Sequence, residues 1–344
     1  MKRKDIIMIT TKKLWTKDKQ DCIEYTMSNQ LIEVKALNYG GVITSFKLFN
    51  SDKNVVVAYD DKSLYKENPF YLGSHIGPVA GRVKNGQFEM DGETVQLEVN
   101  DNENHLHGGS TRLDHLFFET LYEDDDRFPA LVFIRTVDYD ETDSGYKGQV
   151  KYIITMKLVA NTLMINHKAF PTHKMPINMV NHMYFNLQQS NSVLDHVMEV
   201  GANNILELDE NMAYTSETIS VVNTAFDFRT ANIIGSRIKK GHPQFDITRN
   251  IDHFFVLEEK KTVTLFDPES QQAINITTTG DGVVLYLANY FDEQFINESK
   301  VPAKNQSAIA IEPCHFPLNI GKDQFYDATT PFDMTTTYVL KKTR

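Results

Sequence analysis

Apolar and polar positions alternate with a period of two along most of this chain, and stretches of helical period are few and short. Gln149 to Val159, Thr262 to Phe266, Ala273 to Thr278 and Gly282 to Leu287 are β-branched or aromatic runs that predict strands. Phe88 to Leu97 holds an Asp91-Gly92 pair between two alternating segments, a strong short-range signal for a hairpin. Turn clusters at Asp140 to Gly145 and Asp267 to Ser270 punctuate the runs. A short helical period occurs around Asp60 to Tyr65. Neither a repeat nor a low-complexity linker interrupts the pattern. The expectation is an all-β fold, a large antiparallel β-sandwich formed as one domain over residues 1–344. Residues 1–13 read as a flexible tail or an edge strand.

Two segments stand out against this background. In the first, alternation puts Val180, His182, Tyr184 and Asn186 on one face. Asn181, Met183, Phe185 and Leu187 take the other, and Met183, Phe185 and Leu187 mark it as the core side. A face bearing an imidazole, a phenol and an amide suits a sugar, whose hydroxyls need hydrogen-bond partners and whose C–H faces pack on rings. In the second segment, Ala308 to Ile311 reads as a buried strand that Pro313 prevents from continuing as an interior strand. Glu312 then sits at a strand end, where a carboxylate is costly unless paired or put to use. Taken alone it reads as a capped strand end, and His182 as a satisfied structural histidine.

Composition narrows the partners. The net charge of −11, with no basic run beyond Lys2-Arg3-Lys4, argues against nucleic acid or an anionic membrane as partner. Cys22 and Cys314 are far apart and form no CxxC pair, which fits a reducing cytoplasm. No apolar run approaches membrane-spanning length, and Ile6 to Ile9 is too short for a signal-peptide core. No dinucleotide fingerprint, P-loop or zinc-ribbon spacing occurs, so no cofactor is expected.

Three further groups carry candidate chemistry. His105-Leu106-His107 places two imidazoles on one side of an extended segment near Glu103, a weak signal for a metal site. Asp252 precedes an apolar strand and, with Glu312, supplies the residue types of a glycoside-hydrolase carboxylate pair. Arg82 lies between Gly81 and Gly86, in a loop where a guanidinium fork suits vicinal hydroxyls.

Taken in order, these segments resemble the aldose 1-epimerase family, the galactose mutarotases. The resemblance runs through Asn38-Tyr39-Gly40-Gly41, Gly81-Arg82-Val83-Lys84-Asn85-Gly86, His105-Leu106-His107-Gly108-Gly109 and Gly145-Tyr146-Lys147-Gly148. It continues through Asn181-His182, Tyr184-Phe185-Asn186-Leu187, Phe226-Asp227-Phe228-Arg229, Asp252-His253 and Glu312-Pro313 with His315-Phe316-Pro317. It implies a sandwich of twisted sheets with a concave sugar cleft. Glu312 matches the catalytic base, His182 the catalytic acid, and Arg82, His107 and Asp252 the groups that hold the sugar. Pro78, Gly81, Val284, Cys314 and Tyr214-Thr215-Ser216 depart from the usual pattern and point to an altered sugar preference.

The implied reaction interconverts α and β anomers of a free hexose of the galactose or glucose type. A base takes the C1 hydroxyl proton while an acid protonates the ring oxygen, so neither metal nor nucleotide is required. The sequence expectation is that ionised Glu312 and charged His182 support each other across the cleft and give a bell-shaped pH profile. Three other readings remain open at this point: a non-catalytic sugar sensor of the same fold, the hydrolase using Glu312 and Asp252, and a metal-dependent isomerase. The sequence does not fix the oligomeric state.

Overall fold

The structure, a computed structural model, describes residues 8–188, 190–320 and 324–343. Strands dominate it, and the two α-helical segments, Ile234–Ile238 and Phe245–Thr248, are single turns. A nine-stranded antiparallel sheet runs in the order Glu119–Glu123, Ala130–Asp138, Gln149–Val159, Thr162–Pro171, Phe332–Lys342, Gln272–Thr278, Thr262–Asp267, Val197–Val200, Asn232–Ile233. A six-stranded antiparallel sheet runs Tyr184–Phe185, Ile309–Cys314, Gly282–Tyr286, Asp252–Leu257, Ala202–Leu208, Tyr214–Ser220. A four-stranded meander of Ile9–Lys17, Gln20–Ser28, Ile32–Leu37 and Ile43–Leu48 completes the larger elements. Residues from Ile9 onward therefore belong to an edge strand, and 1–7 lie outside the described residues. Among the described residues no helix is long and apolar enough to cross a membrane.

Period-two alternation explains how one sheet serves both core and cleft. On the central strands of the six-stranded sheet, Ile309, Ile311, Val283, Leu285, Phe255 and Leu257 enter the main hydrophobic core. That core also takes Ile154, Ile165, Leu265, Ile274 and Tyr338 from the nine-stranded sheet, so the two sheets are joined by interdigitated apolar side chains. The alternate residues Glu312, Cys314, Val284, Tyr286 and Asp252 face away from it and line a cavity. The expected hairpin forms as Gln87–Met90 and Glu93–Gln96, joined through Asp91 (φ 55°) and Gly92 (φ 86°). Positive φ at both central residues is what a two-residue turn needs to match strand twist.

Two local expectations change. The strand carrying Glu312 runs through Pro313 to Cys314, with Val283 opposite Pro313. Tyr184–Phe185 flanks it on the other side only at Ile309 and Ala310, so Pro313 lies where that second neighbour has ended and its missing N–H breaks no ladder. The segment from Val180 to Leu187 is two short strands, Val180–Asn181 and Tyr184–Phe185, rather than one. Met183, Phe185 and Leu187 do enter the main core. Asn186 is turned to the backbone, donating to Ser190 O and Ser307 O, and Tyr184 packs in a second apolar cluster below the cavity.

Candidate active site

The cavity, about 170 Å³, lies on the face of the six-stranded sheet turned away from the main core. Arg82, His107, His182, Asp252 and Glu312 all line it, brought together from five separate segments of the chain. Each is placed by its backbone. Glu312 sits opposite Val284, which in turn sits opposite Phe254, two residues beyond Asp252. His182 donates its N–H to Ser74 O (2.8 Å) and accepts at its carbonyl from Gly73 N (2.9 Å). Its ring lies between those of Tyr71 (5.9 Å, 25° between planes) and Tyr184 (4.8 Å, 33°), which fix the imidazole plane.

The closest contact between ionisable groups in the cleft floor joins His182 Nε2 to Glu312 Oε1 at 3.4 Å. Both residues are buried, at 4 % exposure each. Burial pushes the Glu312 carboxyl well above its ordinary range, and the nearby Asp252 carboxylate adds to the effect. Burial also lowers His182 to about 4. The sequence expectation of a fully charged pair is therefore not what the resting cleft favours. Val284, Cys314, Val180 and Ala80 share the lining and provide no solvation, so each partner is pushed toward its neutral form. With both partners neutral, the pair holds one titratable proton, on the carboxyl, and His182 Nε2 faces it.

Around this pair the other groups are also tied down. The Arg82 guanidinium donates to Asp101 Oδ2 at 2.6 Å. Burial acts to lower Arg82, but the charges of Asp252 and Asp101 outweigh it and hold the group above its ordinary value. Asp252 is raised by burial against the opposing pull of Arg82. His107 is pushed well down by burial, with the neighbouring His182 and Arg82 adding to it. Its Nδ1 accepts the Gly81 N–H at 3.1 Å, which leaves the proton of the neutral ring on Nε2 as a donor.

The paired-histidine metal reading loses its geometry here. The strand ends at Leu106, and His107 has φ 54°, so alternation breaks before the second imidazole. His105 turns inward to Glu98 O (2.7 Å) and Tyr146 OH (2.9 Å), while His107 enters the cleft. Among the departures noted in the sequence, Gly81, Val284, Cys314 and Tyr214 line the cavity. Pro78 lies behind it, against Gly108. Sequence reasoning missed the tyrosine wall of Tyr71, Tyr286 and Tyr290 and the Asp101 partner of Arg82. Tyr71 reaches the cleft from a φ of 57°, held by Arg112, whose guanidinium lies over its ring at 5.1 Å and donates to its hydroxyl at 3.2 Å. No period or spacing carries that signal.

Comparison with known proteins bears on this arrangement. The profile of a family described as aldose 1-epimerase matches residues 24–339. A maltose epimerase of Levilactobacillus brevis is 27% identical over 331 residues, covering 94% of this chain and 95% of that protein. The galactose mutarotase of Homo sapiens is 26% identical over 328 residues, covering 90% and 93%. The crystal structure of a galactose 1-epimerase from Lactobacillus acidophilus superposes with a TM-score of 0.89 at 25% identity, over 98% of this chain and 100% of that one.

Proposed function

The chain belongs to the aldose 1-epimerase family of isomerases, and from that premise we propose that its cleft opens and recloses the ring of a free hexose, with Glu312 as base and His182 as acid. The observation that carries the reading is the 3.4 Å approach of His182 Nε2 to Glu312 Oε1 at the floor of a sugar-sized cleft. The C1 hydroxyl and the ring oxygen are bonded to the same carbon, so the two reacting oxygens need an acid and a base held side by side.

Catalysis begins with the pair's single proton moved to His182, an internal transfer that draws none from solvent. Glu312 then accepts the proton of the C1 hydroxyl, His182 Nε2 delivers its own to the ring oxygen, and the bond between C1 and that oxygen breaks. The open aldehyde turns about its C1–C2 bond. On closure the aldehyde oxygen takes a proton from Glu312, and the attacking hydroxyl returns one to His182. The proton count of the pair is unchanged over the cycle. Arg82, His107 and Asp252 are assigned to holding the remaining hydroxyls and fixing the ring over the pair.

Family membership leaves the sugar open, since relatives are named for galactose and for maltose. Polarimetry on freshly dissolved α-D-glucose and α-D-galactose tests the reading. The parent protein should speed the approach to anomeric equilibrium, and Glu312→Gln or His182→Asn should each lower kcat by about 10²–10⁴-fold. Parent-like turnover by both variants overturns the assignment.

A further inference from the structure

Two imidazoles of the cleft meet at one tyrosine. The Tyr71 ring lies 5.9 Å from that of His182 and 4.7 Å from that of His107, and the two imidazoles are themselves 5.8 Å apart. A single aromatic side chain therefore touches both the assigned acid and a group assigned to holding the sugar. Tyr71 is poorly placed to stay there unaided. Its φ of 57° is unusual for a bulky residue. The backbone also turns sharply on both sides of it, with Tyr71 N donating to Asn68 O (2.9 Å) and Ser74 N donating to Tyr71 O (3.0 Å).

Arg112 supplies an anchor from outside the cleft, which it does not line. Its guanidinium is fixed in three directions. Nε faces Asp114 Oδ1 at 3.3 Å, Nη1 donates to the Tyr71 hydroxyl at 3.2 Å, and Nη2 lies 2.5 Å from His115 Nε2. Its central carbon sits 5.1 Å from the Tyr71 ring centroid, within cation–π reach. The turn that carries Arg112 is itself pinned, since Leu113 N donates to Gly77 O (3.3 Å) and Gly40 N to Leu116 O (2.8 Å). A purely structural arginine would grip the buried Asp114 with two parallel hydrogen bonds. Here neither Asp114 oxygen has a hydrogen-bond partner among the described residues, and both Nη groups go to Tyr71 and His115.

We propose that Arg112 is a positioning residue for catalysis: it presses the Tyr71 ring against His182 and His107 and so sets the angle at which both imidazoles meet the sugar. The inference rests on the mutarotase reading of the cleft. Proton delivery to the ring oxygen depends on where His182 Nε2 points, and Tyr71 is one of the two rings that fix that plane.

A double-mutant cycle tests this, with polarimetry on freshly dissolved α-D-glucose in the parent protein, Arg112→Gln, Tyr71→Leu and the two combined. Arg112→Gln should cut kcat/KM by about tenfold or more in the parent. Because it acts through the tyrosine, it should cost less than about twofold once Tyr71 is leucine. An Arg112→Gln variant that turns over like the parent overturns the inference, as do losses that multiply in the combined variant. Should Arg112→Gln unfold in a thermal melt by stranding the Asp114 carboxylate, the same cycle with Asp114→Asn in all four proteins gives the answer. Nitrogen-15 NMR reads the coupling without turnover. The ring resonances of His182 and His107 should move on Arg112→Gln in the parent and stay in place in the Tyr71→Leu background, and resonances that move equally in both overturn the inference. Failure of the parent on every sugar overturns the mutarotase reading instead, while the NMR arm still judges the contact.

Discussion

A carboxyl and an imidazole that share one proton behave as a unit, and the pH dependence of catalysis should report the pair and not either residue. The acid limb of kcat/KM is expected where a second proton enters, which the lowering of His182 to about 4 places at the acid end. The alkaline limb is expected where the last proton leaves, above the ordinary carboxylate range because burial raises Glu312. A rate profile measured by polarimetry should be flat between these limbs and fall on both sides. A profile flat throughout counts against the pair. Asp101 touches Arg82 and does not line the cleft, so Asp101→Asn should raise KM for glucose several-fold by loosening the guanidinium and leave kcat nearly unchanged. At this scale the titratable side chains were legible from residue type and local pattern. Tyr184 beside His182 was legible too, but the Tyr71 ring was not, because it depends on a left-handed backbone and on Arg112, 41 residues away.

The strands explain why the cleft wall is rigid. Gly282 lies in the strand beside Glu312, and a Cβ there would come within 2.1 Å of Phe254 Cζ and 2.5 Å of Phe255 O. The ring of Phe254 in turn packs on Phe316 (5.4 Å) and Tyr214 (6.4 Å), the latter lining the cleft. Gly282→Ala should therefore destabilise the fold by about 1–3 kcal/mol, since an aromatic ring and a backbone oxygen must both give way. Urea unfolding measures this, and the same variant should bind sugar more weakly. Most strands could be read from alternation, and Gln149–Val159 has the expected limits. Which strand neighbours which could not. The registers of Glu312 to Val284 and Val284 to Phe254 join segments separated by about thirty residues, and nothing local encodes those partners.

Seven of the 11 histidines are buried, which ties the stability of the whole molecule to pH. Burial lowers His167 and His253 to about 3, and His182 and His196 to about 4, from an ordinary 6.5. A histidine kept neutral in the folded state binds its proton more readily when unfolded. Its stabilising effect is complete above pH 6.5 and is lost as pH falls toward 4. Each such group contributes a slope of up to about 1.4 kcal/mol per pH unit in that window. Asp114, raised by burial to about 6, and the likewise raised Glu312 and Asp252 oppose this, their contributions being present below their unfolded values and lost as pH rises through their folded ones. The lowered histidines outnumber these carboxyls, so the melting temperature should drop between pH 6.5 and pH 4.5, and a rise on acidification would contradict the burial described. The histidine count was plain in the sequence. Their depth was not, because it depends on which faces the two large sheets cover.

The Phe332–Lys342 strand follows all the other described strands in the chain, yet it lies in the middle of the nine-stranded sheet, between Thr162–Pro171 and Gln272–Thr278. As the polypeptide emerges from the ribosome, those two neighbours must each wait with an unpaired edge until residue 342 is free to slot between them. A nascent chain halted before Phe332 should consequently be captured by chaperones or aggregate, and release of Phe332 to Lys342 should let the nine-stranded sheet close.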